Sequence, residues 1–518
     1  MAAPIITSIS PAEGAVNSNV IITGSGFTGA AAVNFGVVAS INYKVDSDTQ
    51  ITAPVPQLDP GEVSVVVTVP EQGNSNGFPF TIIKPTVINS ITIVNNSGLD
   101  TSQYTLWVAG YIQQGDDKVK YFLYLKGDGT FGSALLGQKA AEYISVNNGM
   151  TIQVPNVKNL GNNRLTFTIT NNGTTPPPLS PTQGYTAYPF KFAPGVCPPG
   201  PYDIFEFGPN AEYNVSAVDA FGINLSFTVK GDPLTYGANP AVTRQQIGEA
   251  YASFVESDPY GGNGFAQLLY TSPTQPGYPI LVEDQYSAIV SPKDWLAIYP
   301  TGPGLINYWD NTVNALFAAG NQINMYLNAA IVGTYAGTCD GTQYTLYGPN
   351  GTIIVIPASD FTGNQGFIQA VREQNSNESD DQYKTFSQIE AAIFEAISRG
   401  VVLDGIKPAG QSIPPNYSSD AWLNTSNWFN THNNSYNGKP SVYDVYAKFL
   451  HYATVGSNPA QNVFSLNAAG TFGMAYGFSL DENPNVGDTW PSNENVPSKT
   501  IYNVSQGQDV TLTIGKWE

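Results

Sequence analysis

From Ile223 to Val229 the chain alternates without a break, Ile223, Leu225, Phe227 and Val229 against Asn224, Ser226 and Thr228. A period of two predicts a strand with one buried face, its register set by that alternation. Shorter apolar or alternating runs recur at Ile91–Val94, Tyr104–Val108, Tyr121–Leu125 and Leu165–Ile169, each bounded by Gly or Asn turn signals. Evenly spaced strands of this kind predict a sandwich or a barrel. Residues 4 to 83 carry a separate set of short strands, such as 18–24 and 63–69, and read as a small β-sandwich ending near Lys84-Pro85. Between about 240 and 455 the period lengthens, and helices are expected at 242–256, 309–319, 386–399 and 441–452. Phe386, Ile389, Ile393 and Ile397 share one helical face, and Gly400 stands where a C-cap glycine would. The stretches 171–184 and 483–498 read as loops, and Asp509–Ile514 reads as a last strand able to return to the barrel.

Length and charge narrow the function. A chain of 518 residues predicts two or three domains. Acidic residues outnumber basic ones by 40 to 20, a net charge of −20, which repels phosphate backbones and anionic membranes. No apolar run is long enough to predict a membrane span. Met1-Ala-Ala-Pro-Ile has neither the basic nor the apolar region of a leader, so a signal peptide is taken as absent or removed. Cys197 and Cys339 allow one bridge or two free thiols, and with His432 and His451 they share no metal-ligand spacing, so no metal is expected.

Among many carboxylates, the informative ones stand between apolar strand positions. Glu206 lies in Tyr202-Asp203-Ile204-Phe205-Glu206-Phe207, and Asp219 follows Tyr213-Asn214-Val215-Ser216-Ala217-Val218. Pro209, Asn210 and Ala211 supply a turn between them, so a hairpin would bring near each other two carboxyls that an extended chain holds roughly 40 Å apart. Such a pair suits glycoside hydrolysis, one carboxyl giving a proton to the leaving oxygen and the other activating water across an open, sugar-sized gap. Phe205 and Phe207 are expected to raise the pKa of Glu206 by desolvation. The same spacing also fits two structural carboxylates. Arg164 either orients a carboxylate or makes a salt bridge at the barrel rim. Trp295, Tyr308, Trp309, Trp422 and Trp428 are candidates for stacking on sugar rings or for core packing, and His451 reads as a core or helix-end residue.

Two resemblances sharpen this reading. Ile9-Ser10-Pro11, Gly14, Ile22-Thr23-Gly24-Ser25-Gly26-Phe27, Val33-Asn34-Phe35-Gly36 and Ser47-Asp48-Thr49-Gln50-Ile51 resemble the IPT/TIG family of immunoglobulin-like domains, which implies a spacer or adhesion module without an active site. From about residue 88 onward the chain resembles glycoside hydrolase family 64, the thaumatin-like β-1,3-glucanases. The resemblance rests on Ile91–Gly98, Tyr124–Phe131, Asn163–Phe167, Asp203–Phe207, Asn214–Asp219, Ala288–Pro292, Tyr308–Asp310, Ala396–Gly400, Tyr446–His451 and Met474–Glu482. It implies an IPT/TIG sandwich over 1–84, a thaumatin-like β-barrel or sandwich over 86–235, a mixed α/β domain over 236–455 that forms a wide groove with the barrel, and a return segment over 456–518. The fold class is thus multidomain and mainly β.

The function the family resemblance implies is secreted, endo-acting, inverting cleavage of β-1,3-glucan to short laminarioligosaccharides, by a monomer without cofactor. Glu206 would be the general acid and Asp219 the general base, with Asn210, Arg164, Tyr308 and Trp309 binding substrate. The chain departs from the family pattern at Gly208, where a threonine is usual, and in a shorter turn before Asp219. Plant thaumatin-like proteins that only bind glucan share the strand pair but are rich in cysteine. A non-catalytic glucan binder on the same barrel is the rival reading, and adhesion through the N-terminal sandwich is a third.

Overall fold

The computed structural model describes residues 2–16, 18–56, 58–83, 87–115, 120–135, 140–156, 163–179, 200–207, 212–217, 219–271, 286–301, 304–328, 330–362, 367, 378–431, 441–452, 462–466 and 502–518. The first unit is a two-sheet sandwich. One sheet runs Ile5–Ser10, Asn19–Ser25, Gln50–Pro54 and Lys44–Ser47; the other runs Glu13–Ala15, Phe78–Ile83, Gly61–Val69, Ala32–Phe35 and Val38–Ala39. Strand alternation turns Val20, Ile22, Ile51 and Ala53 from one sheet toward Phe35, Val65, Val67 and Phe80 from the other, and all are buried. Each such side chain contributes about 1.5–3 kcal/mol relative to exposure. This core is separate from the one that follows.

Two further sheets pack face to face after residue 87. The larger is antiparallel, in the order Phe131–Leu135, Lys120–Leu125, Tyr104–Gly115, Arg164–Asn171, Tyr202–Glu206, Glu212–Ser216 and Tyr502–Asn503. The other is ordered Thr151–Pro155, Val87–Asn95, Asp509–Ile514, Leu225–Val229 and Thr235–Gly237. Asp509–Ile514 lies between two earlier strands, parallel to Val87–Asn95 and antiparallel to Leu225–Val229. Leu165, Phe167, Ile169 and Phe205 face inward from the first sheet and meet Ile91, Phe227 and Leu512 of the second. The rings of Phe205 and Phe227 make an edge contact at 5.3 Å. The regular strand begins at Leu225, and its polar face is buried too: Asn224 and Ser226 are almost fully covered, and Asn224 Nδ2 donates to the Val242 carbonyl just before the next helix. The alternation therefore separates two covered faces, an apolar one and a hydrogen-bonded one, instead of core and solvent.

The helix Arg244–Ser257 opens on a capping box in which Thr243 and Gln246 satisfy each other's backbone donors. Asp310–Leu316 and Val445–Tyr452 form near their expected positions. The long helix begins at Asp380, six residues before its apolar stripe, because Ser379 and Gln382 form a second capping box there. It ends on Gly400 at φ 76°, with Gly400 N–H on the Ile397 carbonyl and Val401 N–H on the Ala396 carbonyl. Between the helices runs a four-stranded antiparallel meander, Gln322–Leu327, Gly333–Cys339, Gln343–Tyr347 and Ile353–Pro357, that the helical periodicity did not anticipate. One apolar core extends from Ile88 through these helices to Trp517, so the two-sheet unit and the mixed region share their interior.

Gly400 carries a left-handed conformation, and an added Cβ would stand 3.1 Å from Cβ of Tyr443. Gly400→Ala is expected to cost about 1 kcal/mol and to lower the melting temperature by roughly 2–4 °C, read by differential scanning calorimetry.

Candidate active site

Alternation on the strand Tyr202–Glu206 sends Asp203 and Phe205 to the inter-sheet core and Glu206 to the opposite face. Register then fixes the neighbours of Glu206. A single row crosses five strands: Tyr124, Tyr111, Arg164, Glu206 and Asn214 stand opposite one another in turn. Neighbouring strands lie about 4.8 Å apart, so long side chains in such a row touch. Arg164 Nε and Nη2 both donate to Glu206 Oε1, at 2.9 and 2.8 Å. Asn214 Nδ2 donates to Oε2 at 3.2 Å. The Glu206 side chain keeps 27% of its surface exposed, whereas that of Arg164 keeps 6%.

The same alternation corrects one expectation. Phe205 and Phe207 point into the core, packing on Tyr213 at 5.8 and 6.2 Å, so their rings lie across the sheet from the Glu206 carboxyl and do not desolvate it.

Asp219 is also placed differently from the expected hairpin. Glu206 pairs with Asn214, and Asp219 lies beyond the end of that strand, where the chain turns to run as Ala220–Phe221 beside Ala288–Val290. Its carboxyl is not on an open surface but buried, at 4% exposure. Lys293 Nζ donates to Asp219 Oδ1 at 2.8 Å and reaches Asp294 Oδ2 at 3.1 Å. Ser291 N–H holds the Asp219 carbonyl at 2.8 Å, and Ser291 Oγ donates to Asp294 Oδ2 at 3.2 Å. Burial works to raise the pKa of Asp219, yet the charges of Lys293 and Arg164 outweigh it and hold the carboxyl below its usual range. Arg164 therefore serves both carboxylates, Glu206 by contact and Asp219 through its field. Asp294 is pushed the other way, to about 8, by burial and by the adjoining Asp219 charge.

The turn after Asp219 is anchored on both sides. Asp203, on the core face, accepts from the backbone N–H groups of Ile204, Gly222 and Ile223 at 2.8, 3.2 and 3.1 Å. Buried Arg244 donates to the carbonyls of Gly222, Tyr286 and Ser287, its guanidinium lying over the rings of Tyr286 and Trp517. A Cβ on Gly222 would stand 2.2 Å from the Tyr202 carbonyl oxygen, so this close crossing of strands requires glycine.

The aromatic candidates lie in the interior. Trp309 is 2% exposed, and Tyr308, between Phe265 and Trp309, donates its hydroxyl to the Tyr443 carbonyl. The structure does not bring either to Glu206; packing against Phe367 accounts for both. Trp422 and Trp428 are buried and bond the carbonyls of Val402 and Trp422 through their ring N–H groups. Trp295 is nearly buried against Tyr299, and His451 is buried in its helix. Cys339 is a buried free thiol donating to the Phe317 carbonyl. Asn210, Cys197, His432 and the segment Met474–Glu482 lie outside the described residues. Among the described residues no group of three acidic, His or Cys side chains is set to hold a metal, and no helix is long and apolar enough to cross a membrane.

Sequence reasoning missed Asn214, Lys293 and Asp294. Asn214 was accessible to it, since a turn centred on residue 210 sets 206 opposite 214. Ser291-Pro292-Lys293-Asp294 carries the signature of a helix start, with a Ser N-cap, Pro at N1 and an acid in the first turn. Nothing in that signature links it to Asp219.

Residues 4–82 match the model of the IPT/TIG domain. No curated protein matches the chain. Among solved structures it is similar to a family 64 β-1,3-glucanase domain from Clostridium beijerinckii, at 14% identity and TM-score 0.48, over 83% of this chain and 100% of that one. A second similar structure is the family 64 laminaripentaose-producing β-1,3-glucanase of Paenibacillus barengoltzii, at 14% identity and TM-score 0.42, covering 99% of both chains. The complex of that enzyme with laminarihexaose matches at 14% identity and TM-score 0.41, over 96% of this chain and 98% of that one.

The raised pKa of Asp294 has a definite stability sign. A carboxyl protonated in the folded state and ionised in the unfolded one makes the folded state lose stability as pH rises, from the unfolded value near 4 to about 8. Wild type is therefore expected to lose stability relative to Asp294→Asn between pH 5 and pH 8, measured by urea unfolding of both at each pH.

Proposed function

We propose that the chain is an endo-acting glycoside hydrolase that cleaves β-1,3-glucan with inversion of configuration. The observation that carries this reading is the shared cation: Arg164 bonds Glu206 directly and helps hold Asp219 ionised, which joins two carboxylates of different environment into one site. Two carboxyl groups with distinct surroundings are what acid and base roles require. The resemblance of Asp203–Phe207 and Asn214–Asp219 to the strands of family 64 supports the choice of substrate.

In this reading Glu206, the more exposed of the two, is the general acid. Both Arg164 bonds go to Oε1, which leaves Oε2 to carry the proton to the glycosidic oxygen. Asn214 fits either protonation state. Its Nδ2 meets an ionised Oε2, and its Oδ1, buried without a hydrogen-bond partner among the described residues, would accept from a protonated one once the amide turns over. Asp219 stays charged beside Lys293 and takes the proton of the attacking water. Inversion requires the two carboxyls to stand roughly 6.5–9.5 Å apart around that water when the sugar is bound. The products are short laminarioligosaccharides, and the protein acts outside the cell as a monomer.

A second reading, a glucan-binding protein without catalysis, is favoured by the fact that each carboxylate already has a cation, Arg164 or Lys293. Laminarin digestion separates the two. Wild type is expected to release reducing sugar whose first-formed anomer, followed by NMR, is α, while Glu206→Gln and Asp219→Asn each lower kcat by about 10²-fold or more. Binding of laminarin without release by wild type would establish the second reading.

A further inference from the structure

We infer that Lys293 is a positioning residue of this site: its ammonium clamps the carboxylate of Asp219 by one oxygen and so fixes its orientation and keeps it ionised. The inference rests on the hydrolase reading above and adds a residue to it.

The geometry around Asp219 is one-sided. Oδ1 is held by Lys293 Nζ at 2.8 Å, and the main-chain carbonyl is held by Ser291 N–H at 2.8 Å. Side chain and backbone are thus gripped by one short segment, the start of the helix Pro292–Ile298. Lys293 is itself fixed by Asp294, which Ser291 Oγ holds in turn. The lysine side chain is 21% exposed, so its ammonium is partly withdrawn from water and is oriented by its two carboxylates. Oδ2 of Asp219 is buried and has no hydrogen-bond donor among the described residues other than a proton carried by Asp294.

The energetic reasoning follows from burial. A carboxylate withdrawn from water neutralises itself unless a cation stays with it, and a neutral Asp219 could not act as a base. The titratable and charged groups facing Asp219 are Lys293 and Asp294 from the helix start and Arg164 from the neighbouring sheet, and the Tyr446 hydroxyl also lies within its field. Lys293 is the only one of these with a direct cationic contact to Asp219 among the described residues. Arg164 is committed to Glu206 by two bonds and cannot take over. Asp294, with its pKa near 8, stays neutral below that pH and does not compete for the lysine charge. The Asp219–Asp294 pair thereby keeps one ionised member, Asp219, beside one protonated member, Asp294.

The test compares Lys293→Met, Lys293→Gln and Lys293→Arg with wild type in laminarin hydrolysis across pH 3.5–8. Removal of the cation is expected to move the acid limb of kcat/KM upward by about 1–3 units and to lower kcat with little change in KM, and Lys293→Arg is expected to restore the limb. A merely structural lysine would lower the melting temperature and leave the limb where it is. If Lys293→Met does not fold, Lys293→Gln carries the comparison. An acid limb unmoved in a folded variant overturns the inference. If wild type releases no sugar, the hydrolase reading fails by itself, and the pairing is read from unfolding instead. Wild type and Lys293→Gln must then differ in the pH dependence of stability between pH 3 and pH 6, a difference that Asp219→Asn abolishes. Equal pH dependence in the two proteins refutes the clamp.

Discussion

A carboxylate enclosed in protein remains charged only while a cation remains beside it, and the site of this protein is arranged around that constraint. Arg164 lies in the middle of the cross-strand row, with Tyr111 on one side and Glu206 on the other. Its guanidinium is nearly buried, so its charge acts with little screening by solvent, and reaches Asp219 as well as Glu206. Lys293, 74 residues beyond Asp219, completes the arrangement from the start of a helix. The strands supply one cation and the mixed region supplies the other. Neither part alone contains both halves of the site.

Precise placement of those charges depends on groups that carry no chemistry. Asp203 and Arg244 pin the Gly222 peptide from its two ends, one taking its N–H and the other its carbonyl. Arg244 also begins the helix Arg244–Ser257, so the turn after Asp219 is tied to the first element of the helical region. Removing either partner would leave a buried charge or an unsatisfied peptide group, and both are costly where Asp203 and Arg244 are this fully buried. The continuous apolar core from Ile88 to Trp517 belongs to the same pattern, since it packs the sheets and the helices on one shared interior.

Much of the support was legible in the sequence, and much of the site was not. Alternation at 202–207 located Glu206 on a strand, and Gly400 marked a helix end that the structure contains. Alternation also carried information that was first read the wrong way: if Glu206 faces out, Phe205 and Phe207 face in, and they have no hold on its carboxyl. The position of Asp219 depends on where a hairpin turns, and a count of thirteen residues cannot stand in for register. Lys293 was invisible for a different reason. Its partner is set by the pairing of Ala220–Phe221 with Ala288–Val290, a long-range contact that no local pattern encodes. The aromatic residues near 308 resembled a sugar platform because an aromatic side chain serves a core and a ligand equally well.

The strand Asp509–Ile514 sits between Val87–Asn95 and Leu225–Val229, joined to residues 419 positions earlier in the chain. At a ribosomal rate of about 5–20 residues per second, Val87–Asn95 waits roughly 20–80 s for the neighbour that fills the gap beside it, and Leu225–Val229 waits about two thirds as long. Through that interval two strand edges stand open beside exposed apolar residues, the circumstance in which nascent chains associate wrongly. The amino-terminal sandwich has no such dependence, because all its strands lie within the first 83 residues. Biosynthesis thus completes the sandwich early and leaves the two-sheet unit after it open until Asp509–Ile514 has been made.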